Sequence, residues 1–342
     1  MRQIRLGRSA VAVTELTLGT AGIGNLYTAI SDETAEGAIR AAWDEGIRSF
    51  DTAPHYGLGL AERRLGAALR RHPRDEYTLC TKVGRILEPV ERPDSANQTL
   101  GDDLEAGGFA VPAAFERRWD FSADGIRRSL EASLERLGHD RVDIALLHDP
   151  DDHEKQAFEE AYPALERLRA EGVVRAIGVG MNQAAMPARF VRETDIDLVL
   201  LAGRYTLLDQ SGLDELLPLA QERGVSVLAG GVFNSGLLAD PKPGATYNYV
   251  TAPAELVDRA LRMKEICDEW GVPLRAAALQ FPLGHPAVAG VVIGSRTADE
   301  VHDSIRLAGL PLDAELWDGL RGPDMLPGEV PTPGSRAPGE GQ

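Results

Sequence analysis

RSFDTAPHYGLGLAERRLG, residues 48–66, holds one complete strand–turn–helix unit. RSFDTA reads as a short strand whose far end turns polar at Asp51. Gly57 and Gly59 mark the turn, and an amphipathic helix runs from Leu60 to Arg71. The same rhythm recurs on both sides of this unit. Upstream, LTLGT (16–20) is a buried strand followed by a helix at Asp32–Glu45, with Ser31 as its N-cap. Downstream come TLCTK (78–82) with a helix at Ala123–Leu137 capped by Ser122, and VDIALLH (142–148) with a helix near Glu154–Glu171. VVRAIGVG (173–180) precedes Ala184–Glu193, DLVLLAG (197–203) precedes Leu213–Arg223, VSVLAG (225–230) precedes Ala254–Trp270, and AGVVIG (289–294) precedes Ala298–Leu307.

Eight short, continuously apolar strands alternating with helices indicate a parallel sheet buried on both faces. Eight such units fit a closed (β/α)8 TIM barrel better than an open sheet. An open dinucleotide-binding sheet would carry G-x-G-x-x-G after an early strand; GTAGIGNLYTA (19–29) has Gly22 and Gly24 but no third glycine at that spacing. Three segments stand outside the repeat. IRLGRSAVAVTEL, around Gly7-Arg8-Ser9, reads as an N-terminal β-hairpin. Residues 84–121 form a long loop after the third strand, where barrels build their substrate sites. Residues 1–321 then make a single barrel domain, and the tail 322–342, rich in Pro and Gly, is expected to be disordered.

The chain has 342 residues, 43% hydrophobic and 26% charged, which is enough apolar material for one large core. A net charge of −17 argues against nucleic acid and against an anionic membrane surface as partners. Its amino terminus lacks the apolar core of a signal peptide, and no later run is long enough to span a bilayer, so a soluble cytoplasmic chain is expected. Cys80 and Cys267, the only two cysteines, lie in unrelated contexts and read as reduced buried thiols; no ligand set for a metal is evident.

In such a barrel the functional side chains sit at the C-terminal ends of strands. Those ends supply Asp51, Lys82 and His148, with Tyr56 in the turn five residues after Asp51. Singly, Asp51 could cap a turn, Tyr56 could be a packed aromatic and His148 could begin a polar loop. Lys82 is harder to dismiss. The chain's only lysines are Lys82, Lys155, Lys242 and Lys264, and Lys82 alone ends an apolar strand. Together the four suit proton-coupled hydride transfer. A free tyrosine, with a pKa near 10, is a poor base at neutral pH. A lysine beside it favours the phenolate, an aspartate holds the lysine charged, and a histidine N–H orients the carbonyl.

The segments FDTAPHYGLGLAERRLG, TKVG, LLHDPDD and GVGMN resemble the signature regions of the aldo-keto reductase superfamily, in register from Leu18 to about Leu307. The resemblance implies Tyr56 as acid/base, Lys82 as its modulator, Asp51 as partner of Lys82 and His148 as orienting group. It also implies Asn182 on the nicotinamide carboxamide, although Met181 stands where a serine is usual. At Gly230 the family often has a tyrosine stacked on the nicotinamide; here that partner is missing or is supplied by Phe233. Gly294, Ser295 and Arg296 match the start of the adenosine-phosphate loop, where a helix N-terminus suits an anion. Many members carry Arg or Gln for a 2′-phosphate where this chain has Glu300, which implies NAD, although NADP stays possible because Arg296 is nearby. Asp299 and Glu300 also suit the start of any helix.

Within the superfamily, NLYTAISDE, RRWDFSADGIRRSLEASLERLG and LLHDPDD most resemble bacterial aldose 1-dehydrogenases and pyridoxal 4-dehydrogenase. That implies NAD-linked oxidation of a cyclic hemiacetal to a lactone, with a sugar or other small carbonyl compound as substrate. Trp119 then offers an apolar face to the substrate and Asp120 an acceptor; Trp119 could equally anchor the next helix. Two other readings stay open: an NADPH-dependent reductase of small aldehydes or ketones, and a nicotinamide-sensing binding protein. The sequence does not fix the oligomeric state.

Overall fold

The computed structural model describes residues 1–90 and 101–334. Eight parallel strands form a closed barrel: β1 (Leu16–Gly19), β2 (Ser49–Asp51), β3 (Thr78–Val83), β4 (Ile144–His148), β5 (Ala176–Met181), β6 (Leu198–Ala202), β7 (Ser226–Gly230) and β8 (Val288–Gly294), neighbours in that order. Helices fill the connections: α1 (Asp32–Asp44), α2 (Leu60–Leu69), α3 (Ala123–Leu137), α4 (Tyr162–Ala170), α5 (Ala185–Glu193), α6 (Leu216–Arg223), α7 (Ala254–Glu269), α8 (Leu274–Gln280) and α9 (Ala298–Ala308). This is the (β/α)8 barrel expected from the repeat. Both expected caps form: Ser31 accepts from Thr34 N at 3.1 Å and Ser122 from Gly125 N at 3.0 Å. Before α4 the helix begins at Glu154 and passes through a π segment, Ala157–Ala161. No helix among the described residues is long and apolar enough to cross a membrane.

Two compact units make up the chain. The first comprises Met1–Gly180, Ile196–Leu198 and Gly294–His302. Its N-terminal hairpin pairs Gln3–Arg5 with Ala12–Thr14 and is tied to the starts of β2 and β3. There Thr14 Oγ1 and Thr17 Oγ1 each lie 2.7 Å from Ser49 Oγ, and Thr78 Oγ1 donates to Ala12 O. On the outer side, the fully buried Glu62 joins three elements. It accepts from Thr81 Oγ1 of β3 at 2.9 Å and from Arg136 Nε of α3 at 2.5 Å, which fixes α2 between them.

Among the described residues of the long loop after β3, two short antiparallel ladders form. Arg85–Pro89 pairs antiparallel with Phe115–Trp119, and Asp102–Asp103 pairs with Phe109–Pro112. Phe109 and Val111 are buried with Leu58, and Leu26, Tyr56, Leu87 and Phe115 pack around them. The insertion therefore lies against the turn that carries Tyr56.

The second unit comprises Met181–Asp195, Val199–Ile293 and the chain from Asp303 onward. Here the connection from β7 to β8 holds two helices, α7 and α8, where the sequence had suggested one. Tyr205, Phe281 and Trp317 form its aromatic core, and a further short helix spans Ala314–Gly319. The chain after Gly322, expected to be disordered, is described as far as Gly334, and there it packs against its neighbours. Leu326 and Val330 are buried, Arg259 donates to Met325 O at 2.8 Å, and Arg321 donates to the carbonyls of Pro327, Gly328 and Val330. Residues 335–342 lie outside the described residues.

Candidate active site

Strand register places the expected catalytic residues on one face of the first unit. Asp51 stands level with Cys80, and Lys82, two residues on, stands level with Leu146. His148 follows Leu146 by two residues. Side chains on a strand alternate with a period of two, so Asp51, Lys82 and His148 share a face and step upward from β2 to β4. Gly180 stands level with His148 and leaves room for the lysine stem.

Tyr56 reaches the same place from the turn after β2. That turn is unusual: Gly57, Leu58 and Gly59 all have positive φ. A Cβ on Gly57 would come within 2.2 Å of Gly24 O, so only glycine fits the close approach. Tyr56 N donates to Ala53 O, and Ala61 N donates to Tyr56 O as α2 begins.

Lys82 is 2% exposed and its ammonium is fully engaged. Nζ donates to Asp51 Oδ2 at 2.6 Å, to Thr52 O at 3.1 Å and to the Tyr56 hydroxyl at 3.1 Å. Burial opposes the charge on Lys82, but the fields of Asp51, Tyr56 and Cys80 outweigh it and raise the ammonium above its ordinary value. An ammonium that stays charged beside a phenol favours the phenolate, which is what a tyrosine base requires. The His148 ring meets that of Tyr56 edge-on, 6.0 Å between centroids. Burial, Arg85, Lys82 and His55 hold it well below the ordinary imidazole range. It is a neutral donor or acceptor there, not a competing acid.

Several residues at this site were not legible in the sequence. Arg85 donates to Asp149 at 2.5 Å, and Asp149 has a left-handed backbone (φ +40) immediately after His148. His55 stands next to Tyr56, and Arg117 of the insertion donates to its Nδ1 at 2.6 Å. The immediate signal for His55 was its place beside Tyr56. For Arg117 it was the alternation FERRW, which puts Phe115, Arg117 and Trp119 on one face.

Trp119 is 44% exposed, with the Arg85 guanidinium 5.5 Å from its ring, so it is not the core anchor that was also considered. Asp120 is engaged at both oxygens within its own neighbourhood. Its carboxylate takes Ser122 N, Ser122 Oγ and Arg128, and so closes the start of α3. Both cysteines are free and buried.

After β8, Ser295 is buried with no partner for its hydroxyl, while Gly294 is exposed. A Cβ on Gly22 would stand 3.0 Å from Ser295 O and from Arg296 Cγ, so the loop after β1 closes tightly on this segment. α9 is preceded by Thr297, whose hydroxyl accepts from Glu300 N at 3.2 Å. Glu300 in turn accepts from Arg296 N at 2.7 Å and from its guanidinium at 3.1 Å. An unpartnered buried hydroxyl, a bare glycine and an arginine at a helix start fit a phosphate-bearing cofactor. Asn182 and Met181 belong to the second unit; Asn182 is exposed and Met181 buried, as is Gly230, with Phe233 half-buried.

The aldo/keto reductase family profile matches residues 15–322, which is most of the chain. The chain belongs to the aldo/keto reductase family. Among curated relatives of this aldo/keto reductase, a D-threo-aldose 1-dehydrogenase from Pseudomonas sp is 46% identical over 323 residues, 93% of this chain and 96% of the relative. A pyridoxal 4-dehydrogenase from Microbacterium luteolum is 39% identical, covering 94% and 97%. Among solved structures, an aldo-keto reductase from Bacillus halodurans in holo form superposes with a TM-score of 0.72 at 27% identity, covering 93% and 95%. This aldo/keto reductase is accordingly an oxidoreductase, and its family and dehydrogenase relatives imply a nicotinamide cofactor.

Burial of the two imidazoles makes a prediction about acid stability. His148 lies well below 6.5, and His55 is pushed down to about 2 by burial and by Arg85, Arg117 and Lys82. Each binds a proton more readily unfolded than folded. Their contribution to stability is therefore complete above about pH 6.5 and is lost as pH falls toward the depressed folded values. Each adds up to about 1.4 kcal/mol per pH unit to the slope. Urea unfolding measured from about pH 7.5 down to about pH 5 should show stability falling, with a shallower slope in His55→Phe. An unchanged slope in that variant would mean that His55 is not held neutral.

Proposed function

We propose that this enzyme oxidises a cyclic hemiacetal, an aldose or pyridoxal, to its lactone, with NAD as the preferred cofactor. The observation that carries the reading is the Tyr56–Lys82–Asp51 chain, with contacts of 3.1 and 2.6 Å, in a sequence 46% identical to an aldose 1-dehydrogenase. Tyr56 as phenolate accepts the proton of the hemiacetal hydroxyl as the C–H bond at that carbon breaks and C=O forms. Lys82 stays protonated and stabilises the anionic tyrosine before transfer. His148 donates to the same oxygen and fixes its direction. A bound nicotinamide supplies the hydride acceptor in this direction and the donor in reverse. Gly294, Ser295 and Arg296 would hold its phosphates, and Asn182 its carboxamide. Trp119 would lie against the substrate. Opening of the lactone in water removes product and draws the reaction toward oxidation.

The cofactor preference rests on the Glu300–Arg296 pair. A ribose hydroxyl can donate to the Glu300 carboxylate and leave the pair intact. A 2′-phosphate would have to pull Arg296 away and then sit beside a carboxylate. Incubation with L-fucose, D-arabinose, L-galactose or pyridoxal should form NADH and lactone, and NAD should exceed NADP in kcat/KM by about tenfold or more. Glu300→Gln should narrow that ratio. Robust aldehyde reduction with NADPH, with no lactone from any of these compounds, would instead identify a carbonyl reductase. Tight cofactor binding without turnover would identify a nicotinamide sensor.

A further inference from the structure

His55 is the group around Tyr56 that the reaction above leaves without a task. Its ring centroid lies 6.1 Å from that of Tyr56 and 5.7 Å from that of His148, and part of it stays exposed. Its Nδ1 accepts the Nε–H of Arg117 at 2.6 Å. Arg117 is held in turn by both oxygens of Asp103 and also donates to His55 O at 3.3 Å. Both ends of this pair are nearly sealed, the Arg117 side chain 8% and the Asp103 side chain 3% exposed. Such an assembly costs desolvation and is disproportionate for fastening a surface loop.

A ring nitrogen that accepts from a guanidinium carries no proton, so the single proton of the neutral imidazole sits on Nε2. Among the described residues nothing accepts from Nε2, and it is not one of the sealed nitrogens without a partner. The tautomer is thus fixed from behind, and one N–H is presented beside the two groups that receive the reacting oxygen. The three rings are mutually about equally spaced, with centroids 6.1, 5.7 and 6.0 Å apart. A carbonyl oxygen has two lone pairs, which Tyr56 and His148 already take, so the third donor is left for another oxygen of the substrate. It is placed for an oxygen on the adjacent carbon, one hydrogen bond of about 2.9 Å away.

We propose that His55, fixed as the Nε2–H tautomer by Arg117 and Asp103, selects substrates that carry a hydroxyl on the carbon next to the reacting one. The proposal deepens the functional reading above and depends on Tyr56 and His148 receiving the reacting oxygen. A site built to hydrogen-bond a hydroxyl penalises the compound that lacks it, because the buried donor is then left unpaired.

Two measurements test it. In protein labelled with ¹⁵N-histidine, long-range proton–nitrogen spectra should show His55 neutral and protonated on Nε2 from about pH 8 to about pH 5.5, with that single tautomer lost in Arg117→Met. Lactaldehyde should shift the Nε2 signal, whereas propanal, which lacks the hydroxyl, should not. In turnover, the preference for lactaldehyde over propanal should fall about tenfold in His55→Phe, chiefly through KM. A purely structural role for His55 would depress both substrates equally and overturn the proposal, as would an Nδ1-protonated ring. If neither compound is turned over by the unaltered enzyme, the functional reading stands, since it concerns cyclic hemiacetals and fails only when no lactone forms from the sugars or pyridoxal above. The tautomer and the Nε2 shift then decide this proposal.

Discussion

Replacing Tyr56 with phenylalanine is expected to lower kcat by about 10²–10⁴-fold, the usual cost of removing a general acid/base. The fold should survive. The ring keeps its packing against Phe109, 6.2 Å between centroids, and Lys82 keeps Asp51 and Thr52 O as acceptors. Cofactor binding should persist, because the residues assigned to it lie after β5 and β8. Steady-state kinetics beside a fluorescence titration with NADH separate the two effects. Turnover of the Phe variant close to the unaltered enzyme at saturating substrate would remove Tyr56 from the proton path.

The second large effect is expected at Asp51. Asp51 and Lys82 are an ion pair at 2.6 Å, with side chains 3% and 2% exposed. Asp51→Ala leaves a buried ammonium whose desolvation is no longer offset, a change that commonly costs about 3–5 kcal/mol. The lysine then loses the field that kept it charged, so the phenolate loses its support and oxidation slows as well. Lys82→Met strands the carboxylate in the same way. The double variant, Asp51→Ala with Lys82→Met, should be more stable than the sum of the single changes implies, since neither charge is left alone. Strict additivity in urea unfolding would show that the pair is not coupled. The sign with pH is equally definite. Lys82 is raised in the folded state, so its contribution is complete below the ordinary lysine value of 10.5 and fades only as pH climbs through the raised one.

Much of this arrangement was legible because it is local. The strand–turn–helix repeat, the caps Ser31 and Ser122 and the ends of α3 are decided by residues within a few positions of one another. The catalytic four could be read because strand ends in a barrel are functionally marked, so a lysine closing an apolar strand stood out. α8 was missed because LRAAALQ is buried almost all round and shows no amphipathic stripe. The two ladders of the insertion were missed because their strands are only two to five residues long. The assembly at His55 was missed for a different reason. Arg117 is 62 residues away from it, and no periodicity within a strand announces a partner across that span.

That last contact also bears on how such a site changes over evolutionary time. The insertion after β3 meets the histidine beside Tyr56 through Arg117, which Asp103 of the same segment holds, and through the edge-on ring of Phe109, 5.2 Å between centroids. Exchanging the segment between homologues while keeping His55 would leave the imidazole without its donor. Exchanging His55 alone would leave the buried Nε–H of Arg117 without its acceptor, although Asp103 still pairs the charge. Positions 55, 103 and 117 therefore form one heritable module. They should be gained, lost and transplanted together, and a chimera that carries the insertion without its histidine is expected to fold less well than either parent.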